Sequence, residues 1–508
     1  MSTRSTQTVL ETPTILRKRS GFLVLAEYDK AGALKTKYIE SAPTAGSSKV
    51  DLTLPPRRKK PWQELLEIFL PDGYPHSVTD DYAEYQIYDS LQAFAGTIAG
   101  MISSRAVWQG LGVGDSLASP TGAMLIQVTR ESMGRLATIT FAHLFATSIE
   151  AECKAYRMAC DLLTDSAMVL DCASPYFPQE ARFLVLCLSS ILYSASGVVG
   201  NASKSSLSGH FAKWNNLGEL NAVSSRTYHR GDACKIRVAN STQKDASQET
   251  AISLIGMLTG TLLLYFLTDE TLSWIVLFVL LGVHLLLNWR GVRAVHSRQL
   301  NRQRANIALS ALFSKDEVLT PLKVSHRELI FEKRRGEVFR WNSGPVFGHC
   351  KYGVPLKTLL EALAYGKTHE MSFQLSSVDL YTLMDAFDRE EYVLWCQLST
   401  AANDAASRIK VIVVLKEGVT PRSQLKAWFH GLLLARRLSG QEEANLVRAE
   451  FDQQAMLCHV EESLQIANEK YELYARRLAS AGWNIEVPVL ETRAGSRIVR
   501  EPDEMTSH

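Results

Sequence analysis

The chain has 508 residues, 46% of them apolar, with a formal charge of +2 and a mean hydropathy near zero. That size allows roughly two or three domains, and the composition supports both a packed core and some lipid contact. The start of the chain has no secretory h-region, and the eight cysteines are scattered without a C-x-x-C, which argues against cleaved-signal export, a disulfide framework and structural zinc.

Residues 1–60 hold twelve Lys/Arg against five acids, and the first twenty include eight Ser/Thr with Glu11 as the lone acid. This is transit-peptide composition, but Pro13 interrupts any amphipathic helix. A basic flexible arm over 1–60 is therefore expected, with an organelle presequence as the alternative. One hairpin is predicted inside it, Phe22–Tyr28 and Leu34–Ile39 around Asp29-Lys30-Ala31-Gly32, before the break from Pro55 to Pro61. A helical, small-residue-rich region follows over 61–313. Leu91–Ile102 and Leu136–Thr147 are apolar for only about twelve residues, the length of buried or re-entrant helices. Phe183–Gly200 runs eighteen residues without a charge and reads as membrane-embedded, its serines offering small surfaces for close packing.

Ala251–Leu267 and Trp274–Asn288 are charge-free and separated by six residues that include Asp269 and Glu270. Five arginines follow (Arg290, Arg293, Arg298, Arg302, Arg304) with no acid among them. Basic outer ends and an acidic tip predict a membrane hairpin. The arginines adjoin an apolar span and lack interleaved aromatics beyond Trp289, so contact with anionic lipid is expected and nucleic acid is not. His284 lies four residues from the end of the second span, within reach of headgroups. Gly256 and Gly260 form a G-x-x-x-G face, and Gly96 and Gly100 repeat that spacing; packing within the chain is expected from both.

The C-terminal part, 314–495 with a tail over 496–508, has another character. Ile409–Leu415 is a strand run, Pro421–Leu438 a helix that begins with proline, Gln441–Leu478 a long helix and Asn484–Leu490 a final strand. The fold class is therefore mainly α: a helical membrane-associated domain followed by a smaller α/β domain.

Pro71-Asp72-Gly73-Tyr74-Pro75-His76-Ser77, with Asp80-Asp81-Tyr82 and Asp89-Ser90-Leu91-Gln92-Ala93, is an unusual concentration of Pro, Gly, aromatic and acid. With Gly112-Val113-Gly114-Asp115, Arg130, Gly134, Ala173-Ser174-Pro175-Tyr176-Phe177-Pro178, Lys244-Asp245-Ala246-Ser247-Gln248-Glu249-Thr250 and Leu300-Asn301-Arg302-Gln303-Arg304, it resembles the root UV-B sensitive (RUS) family. The resemblance covers residues 68–304 and weakens in the C-terminal half. It implies links to plastids, UV-B-dependent root growth, vitamin B6 homeostasis and auxin transport, and carries over no catalytic residue. Val223–Gln243 interrupts the family pattern. Val223-Ser224, Ala239-Asn240 and Gln243 can be encoded by GTAAGT, GCTAAC and CAG, so the stretch reads as a translated intron or as a polar loop.

Gly110-Leu111-Gly112-Val113-Gly114 has no preceding strand and no following Lys-Ser/Thr, so dinucleotide and Walker readings fail. Tyr88-Asp89 and Gly112-Val113-Gly114-Asp115 evoke an intramembrane aspartyl protease, yet the aspartates are only 26 positions apart and neither sits in a long apolar run. Asp80, Asp81, Asp89 and Asp115 are expected to cap helices or pair with Arg105 and Arg130. The competing reading is a polar ligand site of Asp81, Gln92, Asp115, Lys244, Gln248 and Glu249.

No cofactor and no metal is implied. The reading is a non-enzymatic integral membrane protein, a scaffold or a transport or trafficking component. Its partners would be the lipid bilayer and a family paralogue or second copy, with mitochondrial and endomembrane locations both open. A vitamin B6-linked binding protein or enzyme is the alternative.

Overall fold

The computed structural model describes residues 23–28, 34–44, 47–53, 74, 77–113, 119–213, 244–332, 337–341, 344–364, 373–375, 377–398, 409–440, 452–492 and 495–500. The chain divides into two compact units, Met1–Tyr82 with Phe211–Ile252, and Ala83–His210 with Ser253–His508. The inserted stretch 223–243 lies outside the described residues.

In the first unit, β1 (Leu23–Tyr28), β2 (Leu34–Thr44) and β3 (Ser47–Thr53) form an antiparallel meander. The predicted hairpin is present, with Val24 opposite Ile39. Within the stretch expected as an arm, Ser47–Thr53 adds a third strand with Tyr38 opposite Leu52. Ser, Lys and Asp separate the few apolar positions of 47–53, so the stretch carries little strand signal of its own. Elsewhere in this unit the Thr79 amide donates to the Phe211 carbonyl at 3.1 Å, and Tyr82 packs edge-on against Phe211.

The second unit contains most of the helices. They are α1 (Tyr82–Gly110), α2 (Pro120–Ala151), α3 (Cys153–Ala173), α4 (Gln179–Phe211), α5 (Lys244–Phe266) and α6 (Glu270–Ala294). Helix starts follow local chemistry. Ser119 caps α2 by accepting from the Gly122 amide, with Pro120 in the first turn, and Asp269 caps α6 by accepting from the Leu272 amide at 2.9 Å. The two apolar runs therefore form a helical hairpin with an acidic tip.

Both small-residue faces pack within the chain. A Cβ on Gly260 would stand 2.6 Å from Met101 Sδ, and one on Gly256 would stand 3.1 Å from Thr97 Cβ, so α5 lies close on α1. Gly96 lies against His284, and Gly100 lies 3.6 Å from Met168 Cε by the same construction.

The smaller strand-containing region follows. β4 (Gln299–Asn301) runs parallel to β9 (Asn484–Val489). Between them lie α7 (Arg302–Lys315), α8 (Pro321–Arg327), β5 (Val338–Arg340), β6 (Val346–Tyr352), α9 (Leu356–Leu363), α10 (Leu380–Ala386), β7 (Tyr392–Leu398), β8 (Ile409–Lys416), α11 (Pro421–Ser439) and α12 (Gln453–Ser480). β8 is the centre of the sheet, antiparallel to β7 on one edge and parallel to β6 and the short β10 (Arg497–Ile498) on the other. Strand β8 is buried almost throughout, as its unbroken Ile/Val run requires.

Helix α11 starts at Thr420, which accepts from the Ser423 amide, and Trp428 and Phe429 are fully buried under the sheet. Trp428 Nε1 donates to Asn306 Oδ1 at 2.9 Å. The expected helix over 441–478 is described only from Gln453. Leu300, Ile307, Ala308 and Leu312, which precede the boundary expected at 313, pack in the core cluster of the strand-containing region.

Candidate functional site

Polarity in the helical part of the second unit is inverted. Met124, Leu125, Ile139, Leu258, Leu262, Phe278 and Val279 are exposed, each by half or more, while Gln92, Asp161, Asp165, Asp171 and His284 are buried. Helix α3 carries most of the buried charge. Arg157, Asp161 and Asp165 recur every four residues, so they form one stripe along a single face.

Arg157 is the hub of the first layer. Its guanidinium donates to Asp89 Oδ1 on α1 at 2.8 Å, to Asp161 Oδ1 at 3.0 Å and to Gln92 Oε1 at 3.3 Å. Gln92 Nε2 donates to Asp161 Oδ2 and stands 3.4 Å from His284 Nε2. His284 Nδ1 lies 2.9 Å from Asp165 Oδ1, at ion-pair distance though not aligned as a hydrogen bond. Asn288, one turn further along α6, donates to the Arg157 carbonyl at 3.2 Å. His284, expected to reach headgroups, instead points into the bundle.

Toward the hairpin tip an apolar layer of Ala99, Ile102, Met168, Cys172, Leu277 and Leu281 closes over this network. Beyond it Arg130 donates to both oxygens of Asp171, at 2.8 and 3.1 Å, and Ser189 donates to the same carboxylate. Arg105 Nη1 donates to the Leu267 carbonyl at 2.6 Å, at the end of α5. The expected pairing of Asp89 with Arg105 or Arg130 is therefore replaced by Asp89–Arg157 and Arg130–Asp171. A cleft of about 230 Å³ opens at the tip, with Arg105, Gln109, Tyr176 and Trp274 in its wall. Trp274 Nε1 donates to Tyr176 Oη at 2.9 Å, and that hydroxyl donates to Glu270.

At the opposite end the stripe meets the α/β region. Glu328 accepts from Lys154 Nζ at 2.7 Å and pairs with Arg304 at 2.8 Å, all three buried. Burial alone would raise the Glu328 carboxyl, but Arg304 and Lys154 outweigh it and hold it down at about 2. Burial dominates at two neighbours and pushes Glu152 up to about 8 and Glu332 to about 7. Arg302 is buried too, donating through Nε to the Leu490 carbonyl at 2.6 Å, its guanidinium over Trp428. Of the five arginines assigned to a lipid surface, Arg290, Arg293 and Arg298 are exposed, whereas Arg302 and Arg304 are buried in this interior.

Of the six residues expected to form a ligand site, Gln92 joins the network above. Asp81 is buried in the other unit, Asp115 lies outside the described residues, and the side chains of Lys244, Gln248 and Glu249 do too. Of the six, Gln92 and Asp81 are therefore the two whose side chains fall among the described residues. The α3 residues that do converge with Gln92 and His284 are Arg157, Asp161 and Asp165, none of which belongs to a motif quoted above. Their signal was available in the four-residue recurrence of charge on a helix otherwise rich in Ala, Leu and Cys. Among the described residues no group of three His, Cys, Asp or Glu is placed to hold a metal ion.

A family model described as "Vitamin B6 photo-protection and homoeostasis domain" matches residues 55–229 and 229–316, and one described as "Root UVB sensitive protein, C-terminal" matches 388–493. The break at 229 falls inside the 223–243 stretch. RUS family member 1 of Dictyostelium discoideum is 35% identical over 270 residues, which is 52% of this chain and 47% of that protein. Protein root UVB sensitive 3 of Arabidopsis thaliana is 27% identical over 419 residues, 82% of this chain and 84% of that protein. Protein root UVB sensitive 2, chloroplastic, of Arabidopsis thaliana is 23% identical over 326 residues, 64% of this chain and 69% of that protein. No solved structure matches.

Proposed function

The chain belongs to the root UV-B sensitive family, and on that premise we propose that it is a membrane-embedded, non-enzymatic component of a transport or trafficking process. Helices α4, α5 and α6 cross the bilayer, and the α/β region stands in water. The observation that carries this reading is the inverted polarity of the bundle. Each large apolar side chain left in water forgoes about 1.5–3 kcal/mol, and a contiguous apolar surface of this kind marks a lipid or partner interface. Helix α6 has 25 residues and α4 has 33, long enough at about 1.5 Å per residue to cross a hydrocarbon core of about 30 Å. Polar groups inside such a jacket favour passage or recognition of a polar species over a purely mechanical scaffold.

Carbonate extraction of the tagged protein from vesicles, with protease protection of its two ends, tests this. Retention in the pellet with both ends of the α5–α6 hairpin on one side is expected. Release as a dissolved monomer overturns it.

A second reading rests on the cleft at the hairpin tip. Its Tyr176/Trp274 wall, with Arg105 and Gln109 nearby, suits a small planar ring with polar substituents, and the matching family model is described in terms of vitamin B6. Saturable binding of B6 vitamers to the purified protein, lost in Trp274→Ala, would promote this reading. No binding removes it.

A further inference from the structure

Asp165 differs from the other buried acids of the bundle in that its counter-charge is conditional. Asp89 and Asp161 share Arg157, and Lys204 of α4 adds positive charge near Asp89. Among the described residues the group at ion-pair distance from Asp165 is an imidazole, His284. Against that ring stand Gln92 and Gly96 from α1 and Asp165 from α3; further along the stripe Asp161 and Asp89 share Arg157, Tyr85 donates to Asp89, Cys160 adjoins Arg157, and Lys204 of α4 adds positive charge near Asp89. Three carboxylates thus meet two permanent cations along the stripe, and one further proton, held by the Asp165–His284 pair, closes the charge. A charge imbalance in an interior that excludes water is costly.

We propose that Asp165 and His284 form a proton-binding site at the centre of the helical bundle, and that Gln92 responds to its occupancy. With the ring neutral, Nδ1–H faces Asp165 and Nε2 accepts from Gln92 Nε2. A proton arriving on Nε2 makes the ring a donor on both sides, so it then confronts the NH₂ group of Gln92. Gln92 has to turn its amide to offer Oε1. That turn withdraws its Nε2 from Asp161 and its Oε1 from Arg157, so uptake of one proton loosens the contact between α1 and α3. Bond making is limited to the new N–H on His284, and the proton returns to water by the same path.

The surroundings also fix the direction of access. On the tip side the apolar layer of Ala99, Met168, Leu277 and Leu281 lies about one turn from His284, whereas on the other side Arg157, Asp89, Tyr85 and Asn288 continue the polar stripe. The proton therefore enters from the end nearest Lys154. Its use as a coupling ion rests on the membrane reading above; the binding itself does not.

The test uses the full chain in detergent micelles with ¹⁵N-labelled histidine, following the imidazole signals from about pH 4.5 to 8.5, the range that brackets histidine. The signal absent in His284→Gln is that of His284. It is expected to titrate within this range, and Asp165→Asn is expected to lower its proton affinity about tenfold or more. A His284 signal that stays flat, or an unchanged midpoint in Asp165→Asn, overturns the proposal. If His284→Gln does not accumulate, the comparison of wild type with Asp165→Asn decides alone, since no histidine signal moving between them has the same overturning force. Release by carbonate would remove the membrane reading and leave this titration standing. Retention with a flat signal would remove the proton site alone.

Discussion

Gly96 lies against His284: a Cβ built on it would stand 3.0 Å from Nε2 and 3.1 Å from Cδ2 of the imidazole. The glycine thus sets how deeply the ring enters the bundle, and with it the ring's distances to Gln92 and Asp165. Gly96→Ala is expected to push the ring out and to destabilise by about 1–3 kcal/mol, the usual range for overpacking. Gly197→Ala on α4, where a Cβ would meet nothing within 4 Å, is expected to be neutral or slightly stabilising. Thermal midpoints of the two variants in detergent check the contrast, and equal losses would count against the packing argument.

An arginine on the exposed face of α6 tests the proposed membrane contact directly. Val279 is 59% exposed, and a charge at that depth costs about 2.5–3.5 kcal/mol on insertion. Val279→Arg is expected to reduce the carbonate-resistant fraction. Tyr381→Arg, at a position 72% exposed on α10, is expected to leave it unchanged. Equal behaviour of the two would place Val279 against water or protein.

The junction where α3 meets α7 gives opposite pH dependences. Glu152 and Glu332 are pushed up to about 8 and about 7 by burial. Their folded forms therefore hold a proton that the unfolded chain has already lost, and stability falls as pH rises from about 4.5 toward 8. Glu328, held at about 2 by Arg304 and Lys154, acts the other way: its contribution is present above about 4.5 and is lost as pH falls toward 2. Glu152→Gln and Glu332→Gln should flatten the fall toward alkaline pH, and Glu328→Gln should be destabilising at neutral pH. Unfolding midpoints across the pH range separate the three.

Removing residues 223–243 is expected to leave carbonate resistance and thermal midpoint unchanged, because the family match breaks at 229 and resumes there. Transcript reads decide the origin of the stretch. If all of them retain the 21 codons of 223–243, the intron idea fails, and a deletion that abolishes accumulation gives the stretch a structural role.

Much of the architecture was legible because single elements announce themselves. The β-branched run of Val411–Val414, the proline start of the helix at 421 and the two charge-free runs around Asp269 each satisfy a local rule. The burial of Arg302 and Arg304 was not legible, since basic residues after an apolar span look like a lipid contact until Glu328 and Lys154 are brought up to Arg304. His284 misled for the same reason: its distance from the helix end is a sequence fact, but the face it presents depends on Asp165, 119 positions away. Third-strand pairing by Ser47–Thr53 depends on a partner that its own alternation barely signals. Pairings between distant residues, more than helix or strand preference, were what the sequence concealed.

The parallel pairing of β4 with β9 joins residues 299–301 to residues 484–489, and this sets an order on biosynthesis. Everything from α1 to α6 leaves the ribosome before the strand that fastens β4 exists, so the helices stand for a time with their lower seam open and the Arg302 guanidinium without the Leu490 carbonyl. Closing a loop of that length is slow. Nonsense changes that spare most of the α/β region but remove the last few dozen residues would therefore strand a nearly complete chain with its seam unlatched, prey to quality-control proteases rather than merely shortened.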